Sequence, residues 1–232
     1  MSKVLVIPDI HFGSKDSHHP DVYKFLAAVK KKFSPDKVVC LGDLADWNSI
    51  NMHDKSPEEQ GPAQELATIR KMVKPLFKMF PKIMICTSNH DDLPFRRASK
   101  FGIPMELLLD HRGILEAPKT WVWADQWEID GVIFEHGTGF SGKDGALKAA
   151  MANMQNTCIG HLHSHAGIQF YANAKTLLFG FNAGCLINKD SSVFSYAKHI
   201  KAKPIIGCGL IISGVPQFIP MPMDDKGRFT KL

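Results

Sequence analysis

Five short polar clusters hold side chains of the kinds that bind metal ions. They are Asp9-Ile10-His11, Gly42-Asp43-Leu44-Ala45-Asp46, Ser88-Asn89-His90-Asp91, His136-Gly137 and Gly160-His161-Leu162-His163. Residues two apart on an extended chain point to the same side, so Asp9 and His11 can present two donor atoms to one place. The same spacing relates His161 and His163. A mixture of carboxylate oxygens, imidazole nitrogens and an amide oxygen suits Mn, Fe, Zn, Ni or Co and does not suit a structural thiolate zinc site.

The clusters contain enough ligands for two metal ions. The seven ligand-type side chains are Asp9, His11, Asp43, Asn89, His136, His161 and His163. A tetrahedral ion takes only about four ligands, so the set indicates a dinuclear centre.

Short apolar runs precede the clusters and must position them. Continuous runs at residues 3–8, 37–41 and 82–86 predict buried strands. Between them, apolar residues at helical spacing predict helices over residues 20–32 and 62–80, the second interrupted near its internal proline. This β-α-β-α-β order predicts a parallel sheet with right-handed crossovers. Ligands bind outside the carboxyl ends of such strands, so the clusters can converge on one crevice.

The pattern changes toward strands after Pro118. One further helix is predicted over residues 143–154. Runs typical of strands occupy residues 121–129, 132–135, 157–159, 167–171, 176–181 and 210–219. We therefore expect a single domain over residues 1–232, of the α/β class, with two sheets flanked by helices.

The composition is that of an ordinary globular protein. The chain has 232 residues, of which 44% are hydrophobic and 22% charged, and this disfavours wholesale disorder and fibrous repeats. Five Cys without a C-x-x-C pattern indicate neither a disulfide framework nor a thiolate zinc site. Three of them lie in or beside apolar runs, and these we expect to be buried, reduced thiols. Only residues 4–7 form an apolar run at the N-terminus, and no apolar run reaches the length of about 18 residues that a membrane helix needs. We therefore expect a cytoplasmic protein without a membrane partner. The net charge of +5 favours anionic ligands.

Eleven histidines are the least ordinary feature of the composition, since imidazole is both the commonest metal ligand and a proton carrier near neutral pH. Four belong to the ligand set, and His90 lies beside one of its members. His165 extends the last cluster, and we expect it at the rim and outside the metal set. The other five lie in polar segments and are predicted to be solvated: His18, His19, His53, His111 and His199.

The motifs D-x-H, G-D-x-x-D, N-H-D, H-G and G-H-x-H, in this order and each at a strand end, resemble those of the calcineurin-like metallophosphoesterases. The resemblance spans residues 9–163, about two-thirds of the chain. It implies a four-layer α/β/β/α sandwich of two mixed sheets flanked by helices, with a two-metal site at the sheet ends. The implied ligands form two sets joined by a bridging Asp43: Asp9, His11 and His163 for one ion, and Asn89, His136 and His161 for the other.

The resemblance also implies a mechanism. Two divalent ions about 3.5–4 Å apart bind phosphate oxygens, lower the pKa of a bridging water and stabilise in-line displacement by the resulting hydroxide. Manganese is the expected metal, with Fe, Zn, Ni, Co or Mg as alternatives. His90 would protonate the departing alkoxide without binding metal. Asp46 and Asp91 would orient nearby imidazoles.

Three cations near the clusters are candidates for binding the substrate phosphate: Arg96, Arg97 and Lys143. For both arginines a solvated helix face is an equal alternative. Lys143 ends a G-x-x-x-x-G-K pattern, which is also that of a nucleotide-binding P-loop. The following Asp144 replaces the hydroxyl that a P-loop needs for magnesium, so we interpret the segment as a glycine loop that contacts substrate phosphate.

Departures from the family's motifs narrow the range of substrates that we expect. The protein serine/threonine phosphatases of the family carry G-D-x-x-D-R-G and N-H-E, whereas this chain has Trp47-Asn48 and Asp91 at those positions. Ser88 stands where the family usually has Gly, and we expect the turn to tolerate it. The pattern favours a phosphodiesterase or nuclease that acts on nucleic acid or a nucleotide. The alternative is a phosphomonoesterase for small molecules or nucleotides at the same two-metal site. A non-catalytic binding module is disfavoured because no ligand is missing.

Overall fold

A computed structural model of the protein describes residues 2–14, 16–52, 60–188 and 201–232. Within these residues the strands are, in chain order, β1 (Lys3–Ile7), β2 (Lys37–Cys40), β3 (Ile83–Cys86), β4 (Trp121–Ala124), β5 (Gln126–Ile129), β6 (Val132–Glu135), β7 (Asn156–Ile159), β8 (Gly167–Ala172), β9 (Leu177–Asn182), β10 (Gly207–Ile212) and β11 (Val215–Pro220). The α-helices are α1 (Val22–Phe33), α2 (Pro62–Met79), α3 (Leu93–Lys100), α4 (His111–Leu115) and α5 (Gly145–Asn153). Short 3-10 helices lie at Asn48–Ile50 and Met105–Leu107.

The strands form two mixed sheets. The first has the order β11-β10-β1-β2-β3-β4, in which β1 to β4 are parallel and β10 and β11 are antiparallel. The second has the order β5-β6-β7-β9-β8, in which β6, β7 and β9 are parallel and the edge strands β5 and β8 are antiparallel. The predicted β-α-β-α-β unit is present, and it places the carboxyl ends of β1, β2 and β3 at one edge of the first sheet.

Two of the predicted single strands are pairs of strands. In the first, β4 pairs with β3 in one sheet while β5, which starts two residues after β4 ends, pairs with β6 in the other sheet. In the second, β10 and β11 are joined by a tight turn at Ser213 (φ 51°) and Gly214 (φ 80°). Apolar alternation records only which residues face a core, so it does not reveal that the chain passes from one sheet to the other at Asp125.

The two sheets and their helices make four layers. Helices α1 and α2 cover the first sheet, where Phe25 and Ile69 are fully buried. A second apolar cluster lies between the sheets and includes Val6 of β1 and Phe134 of β6. Helix α5 covers the second sheet so closely that a Cβ at Gly180 of β9 would lie 2.2 Å from the α5 backbone. The predicted four-layer α/β/β/α sandwich of two mixed sheets is confirmed.

Three smaller expectations also have outcomes. Helix α2 runs unbroken through Pro75, so the predicted interruption is wrong. The proline lies near the end of the helix, where it removes one backbone hydrogen bond while Val73 and Leu76 beside it stay packed in the core. All five cysteines are buried free thiols, which include the three for which burial was expected. In the part of the chain that the structure describes, no helix is both long and apolar enough to cross a membrane.

Two histidines that were predicted to be solvated are buried. His18 and His19 are only 8% and 6% exposed. The His18 ring lies edge-on to Phe12, with 4.9 Å between ring centroids. His19 Nε2 lies 3.1 Å from the carbonyl oxygen of Gly227. The prediction failed because part of the cover comes from distant parts of the chain: His18 forms a β-bridge with Ile187, and the N–H of His19 donates to the carbonyl oxygen of Leu186.

Of the other three histidines in that prediction, His111 is partly buried, with its Nε2 2.8 Å from Asp92 Oδ1. His53 and His199 lie outside the described residues.

The burial of His18 predicts a loss of stability in acid. Burial, with a further effect from His19, lowers the pKa of His18 to about 4. Below about pH 6.5 the unfolded chain therefore binds a proton at His18, whereas the folded protein does not. The contribution of the neutral, buried His18 to stability is complete above that pH and is lost as the pH falls toward 4. Protonation of His18 in the unfolded chain should lower the free energy of unfolding by about 2 kcal/mol as the pH falls from 7 to 5. Urea titrations of a His18→Gln variant should show a flatter pH dependence, and a slope equal to that of the wild type would contradict the assignment.

Candidate metal centre

The ends of five strands meet on one side of the molecule. Strands β1, β2 and β3 of the first sheet and β6 and β7 of the second each end directly before one of the polar clusters. Backbone hydrogen bonds join these segments: the N–H of His11 donates to the carbonyl oxygen of Asp43 (2.9 Å), and the N–H of Gly160 donates to that of His136 (3.1 Å). The fold therefore brings all five clusters together, although they span more than half of the chain.

One group of side chains gathers Asp9, His11, Asp43 and His163, and one donor atom of each lies within 4.8 Å of the others. His163 Nε2 is 3.4 Å from Asp9 Oδ1, and His11 Nε2 is 3.4 Å from Asp43 Oδ2. Asp9 Oδ2 and His163 Nε2 are buried without a hydrogen-bond partner among the described residues. Buried polar atoms are almost always paired, so these two atoms fit a metal ion as their partner.

A second group joins Asp43, His136 and His161, again with donor atoms within 4.8 Å of one another. His136 Nε2 is 3.3 Å from Asp43 Oδ2 and 3.1 Å from His161 Nδ1. Asn89 Oδ1 is 2.8 Å from His136 Nε2. The two groups share Asp43 and contain the same residues as the two ligand sets that the motifs imply. Their mixture of carboxylate, amide and imidazole donors could hold two divalent ions.

The electrostatics of the centre keep its carboxylates ionised. Burial would raise the pKa of Asp43, but nearby imidazoles, His136 first among them, outweigh it and hold that pKa well below its ordinary value. The pKa of Asp9 is lowered in the same way by His163 and His136. Burial opposes a charge on His136, yet Asp43 and Asp9 raise the pKa of its imidazole to about 9. Metal binding requires the neutral imidazole, so an ion that binds here displaces that proton.

Three residues of the two groups have left-handed backbone conformations. The φ angles are 57° at His11, 47° at Asp43 and 64° at His161. Such conformations cost about 1–3 kcal/mol each for residues other than glycine and cluster at functional sites. Tertiary hydrogen bonds hold all three. The N–H of His11 donates to the carbonyl oxygen of Asp43 (2.9 Å), the N–H of Asp43 donates to Ser88 Oγ (2.8 Å), and the N–H of His161 donates to Asp9 Oδ1 (2.9 Å). Part of the free energy of folding therefore offsets the strain of these conformations, which direct the side chains toward the centre.

Hydrogen bonds also orient the imidazoles. His136 Nδ1 donates to the carbonyl oxygen of Leu41 (2.8 Å), which turns Nε2 toward Asp43. His11 Nδ1 lies 2.9 Å from Asp46 Oδ1, and its Nε2 then faces Asp43. The contact between Asp46 and His11 is of the kind expected for Asp46, a carboxylate that orients a ligand imidazole.

Comparison with known proteins decides the family. The sequence matches the family model of the calcineurin-like phosphoesterases over residues 2–183. The chain belongs to this family. A calcineurin-like phosphoesterase is a phosphoric ester hydrolase that binds divalent metal ions, and the two groups of Asp and His side chains could hold them.

One solved structure aligns over nearly the full length of this calcineurin-like phosphoesterase. It is Yfce, a phosphoesterase from E. coli, with 15% sequence identity, coverage of 98% of this chain and 96% of that chain, and a TM-score of 0.47. No curated protein sequence matches the chain.

His90 of this calcineurin-like phosphoesterase lies against the first group without joining it. Its ring is T-shaped to that of His11, with 4.6 Å between centroids, and its side chain is 25% exposed. Nδ1 lies 2.7 Å from the carbonyl oxygen of Asp46. Because a carbonyl oxygen only accepts, Nδ1 carries a proton, and Nε2 is the ring atom that can exchange a proton with a substrate.

Asp91 has partners other than those expected of it. Its carboxylate accepts hydrogen bonds from the backbone N–H groups of Leu44 (3.2 Å) and Ala45 (2.9 Å), and Ser88 Oγ donates to it (2.9 Å). It therefore fixes the loop that carries Asp43 and does not hydrogen-bond to an imidazole within the described residues. Ser88, which seemed only a departure from the motif, binds both this carboxylate and the Asp43 N–H.

The three candidate phosphate-binding cations have different positions. Arg97 donates to the carbonyl oxygens of Ile50 (2.5 Å) and Asn51 (2.6 Å), so its guanidinium anchors a loop and we remove it from the substrate set. Arg96 is exposed and lines a cavity of about 430 Å³ that opens onto Asn89 and His136. Lys143 lines a separate cavity of about 330 Å³ beside the His161 to His163 segment.

Two further residues support the centre and were not recognised from the sequence. Glu65 of α2 is buried and accepts hydrogen bonds from the N–H groups of Asn48 (2.7 Å) and Ser49 (2.9 Å), which fixes the segment after Asp46. Nothing in the local sequence around Glu65 signals this contact, because it joins elements 16 residues apart or more. The sequence shows Gly160 as the first residue of the G-H-x-H motif but does not reveal its structural role.

Gly160 gives Asp9 the room it occupies. A Cβ built on Gly160 would lie 2.2 Å from Asp9 Oδ2. Gly160→Ala should therefore displace the Asp9 carboxylate and weaken metal binding by about tenfold or more, equivalent to about 1.4 kcal/mol. Isothermal titration with Mn²⁺ measures this. The matched control is Gly61→Ala, where a Cβ meets no atom within 4 Å. Unchanged affinity in Gly160→Ala would show that Asp9 is not held in the observed position.

Proposed function

We propose that this calcineurin-like phosphoesterase hydrolyses phosphodiester bonds of nucleic acid or a nucleotide at a centre of two divalent metal ions. The observation that carries the proposal is that two groups of ligand atoms share one carboxylate, that of Asp43. In this assignment the first ion takes Asp9, His11 and His163, and the second takes Asn89, His136 and His161. The mixture of oxygen and nitrogen donors suits manganese, which is the proposed metal, and also suits the alternatives Fe, Zn, Ni and Co.

The protein side chains position the reaction around these ions. When bound, the two ions supply the charge that binds phosphate oxygens and makes water a nucleophile near neutral pH. In this proposal His90 gives a proton from Nε2 to the leaving alkoxide, while its Nδ1 keeps the hydrogen bond to the carbonyl oxygen of Asp46. In this proposal Arg96, which lines the neighbouring cavity, contacts a non-bridging phosphate oxygen.

Two features support a diester over a phosphoprotein as the substrate. The phosphatase pattern would place an arginine next to Asp46, and the chain has Trp47, which is 6% exposed and packed in the core. The cavity of about 430 Å³ beside Asn89 and His136 leaves room for a second ester group on the phosphate. The excess of five positive charges suits an anionic substrate.

The test compares two chromogenic substrates under Mn²⁺. We expect bis(p-nitrophenyl) phosphate to be hydrolysed with a higher kcat/KM than p-nitrophenyl phosphate, chelator to abolish turnover and added Mn²⁺ to restore it. Single- and double-stranded DNA and dinucleotides then rank the natural diesters. A preference for the monoester would replace the proposal by a phosphomonoesterase at the same site, and turnover that resists chelator would refute the two-metal centre.

A further inference from the structure

Strand β8 forms an open edge of the second sheet, since within the described residues it pairs only with β9. The N–H of Phe179 in β9 donates to Asn156 Oδ1 on the β7 side (2.9 Å), and Phe179 stands opposite Phe170 of β8. Two residues that stand opposite each other in an antiparallel pair either exchange backbone hydrogen bonds or both direct their N–H and C=O groups away from each other. Phe170 therefore directs its N–H and C=O toward the open edge, and by alternation Ile168 and Ala172 do the same.

The other sheet edges carry features that discourage strand pairing, whereas the described residues show none at β8. Strand β11 contains Pro216 and Pro220, β5 contains Glu128, and β4 has only four residues. Strand β8 has six residues with the sequence GIQFYA, which contains neither a charge nor a proline. Proteins usually protect an exposed edge with short strands, charges, prolines or a covering segment. An uncharged edge of this length therefore points to a partner strand.

Apolar side chains surround this edge. They belong to β8 and to the start of β9: Phe170 (61% exposed), Tyr171 (40%) and Leu177 (64%). Phe170 and Leu177 lie on one face of the sheet and Tyr171 on the other, because successive side chains of a strand alternate between its faces and Phe170 stands opposite Phe179. A strand that pairs with β8 would cover this patch of three side chains on both faces.

We propose that β8 pairs antiparallel with β8 of a second copy of this chain across a two-fold axis, so that two five-stranded sheets become one of ten strands. An antiparallel edge is complementary to itself under a two-fold rotation, because each outward N–H meets an outward C=O of the identical strand. The absence of charge on β8 removes the repulsion that would otherwise separate two copies. Strand β8 has no charged side chain that an acidic or basic partner could bind.

Sedimentation equilibrium of the full chain over a wide concentration range tests the proposal. The wild type should have twice the chain mass of 25.8 kDa. Phe170→Lys places like charges across the pair, and Ala172→Pro removes only an outward N–H, a change that an edge strand tolerates. Both variants should have half the wild-type mass with an unchanged circular dichroism spectrum. The control is Leu107→Lys, which removes a side chain that is 75% exposed in a different apolar segment and should leave the dimer intact.

Hydrogen exchange gives an independent reading that needs no variant. The amide of Phe170 should be protected at concentrations where the dimer forms and should exchange faster on dilution. A wild type of 25.8 kDa at every concentration overturns the proposal. So does a dimer that persists in Ala172→Pro, a dimer that is lost in Leu107→Lys, or fast exchange of the Phe170 amide in the dimer. Binding to lipid vesicles in place of self-association would likewise assign the patch to a membrane surface and refute the pairing.

Discussion

Replacing Asp43 with Asn should remove both metal ions and lower the rate of phosphate ester hydrolysis by about a thousandfold or more, equivalent to about 4 kcal/mol of transition-state stabilisation. Asp43 Oδ2 is 3.4 Å from His11 Nε2 and 3.3 Å from His136 Nε2, so one carboxylate serves both ligand groups. An amide keeps the shape of the side chain but removes the negative charge that two divalent ions would share. Metal content after dialysis against Mn²⁺ and kcat on bis(p-nitrophenyl) phosphate measure the two effects.

Asp21→Asn is the matched control for the loss of a buried carboxylate. Asp21 is 8% exposed, and its carboxylate binds Lys24 and the N–H of Phe229, away from the metal groups. This variant should lower the melting temperature while it keeps both ions and the wild-type kcat. If Asp43→Asn instead retains two ions, or loses no more rate than Asp21→Asn, the shared carboxylate is not a bridge.

His90→Asn should retain both metal ions and lose rate in proportion to the basicity of the leaving group. His90 converges with His11 and Asp46 beside the first group, but its Nδ1 is bound to the carbonyl oxygen of Asp46 and it belongs to neither of the two groups that contain Asp43. General acids contribute about 10²–10⁴-fold, so a dinucleotide with an alkoxide leaving group should lose at least about a hundredfold in kcat. Bis(p-nitrophenyl) phosphate, whose leaving group needs no proton, should lose less than about tenfold.

His111→Asn controls for the loss of a partly buried histidine near the cavity. His111 binds Asp92 and stacks on Trp123, and it contacts neither ligand group. Its loss should affect both substrates equally. An equal loss on both substrates in His90→Asn, or the loss of an ion there, would show that His90 acts through the structure of the centre and does not donate a proton.

The composition of the centre could be predicted from the sequence because its ligands follow directly after buried strands. An apolar run such as residues 37–41 fixes a strand, parallel strands end at one edge, and the residue after each strand is therefore placed by the fold itself. The same reasoning predicts two sheets flanked by helices, whereas the four-layer α/β/β/α arrangement follows only from the family resemblance that the ordered motifs carry. Neither prediction needs information about distant side-chain contacts.

The contacts that support the centre could not be predicted in this way, because they join residues that are distant in sequence. The Asp91 carboxylate binds backbone N–H groups 46 and 47 residues away, and Arg97 binds carbonyl oxygens at a similar separation. Each side chain has several possible partners, and only packing decides among them. Left-handed conformations at His11 and His161 could not be predicted from the sequence either, since histidine adopts them only in a small minority of its occurrences, although more often than most residues.

The number and coupling of bound metal ions test the central claim most directly. Mn²⁺ titrated into the chelator-treated protein and followed by electron paramagnetic resonance should saturate at two ions per chain, with the split signal of a magnetically coupled pair. A pair coupled through the shared Asp43 carboxylate gives that signal. Saturation at one ion, or two ions that remain magnetically isolated, would contradict the assignment of two ligand groups joined by Asp43.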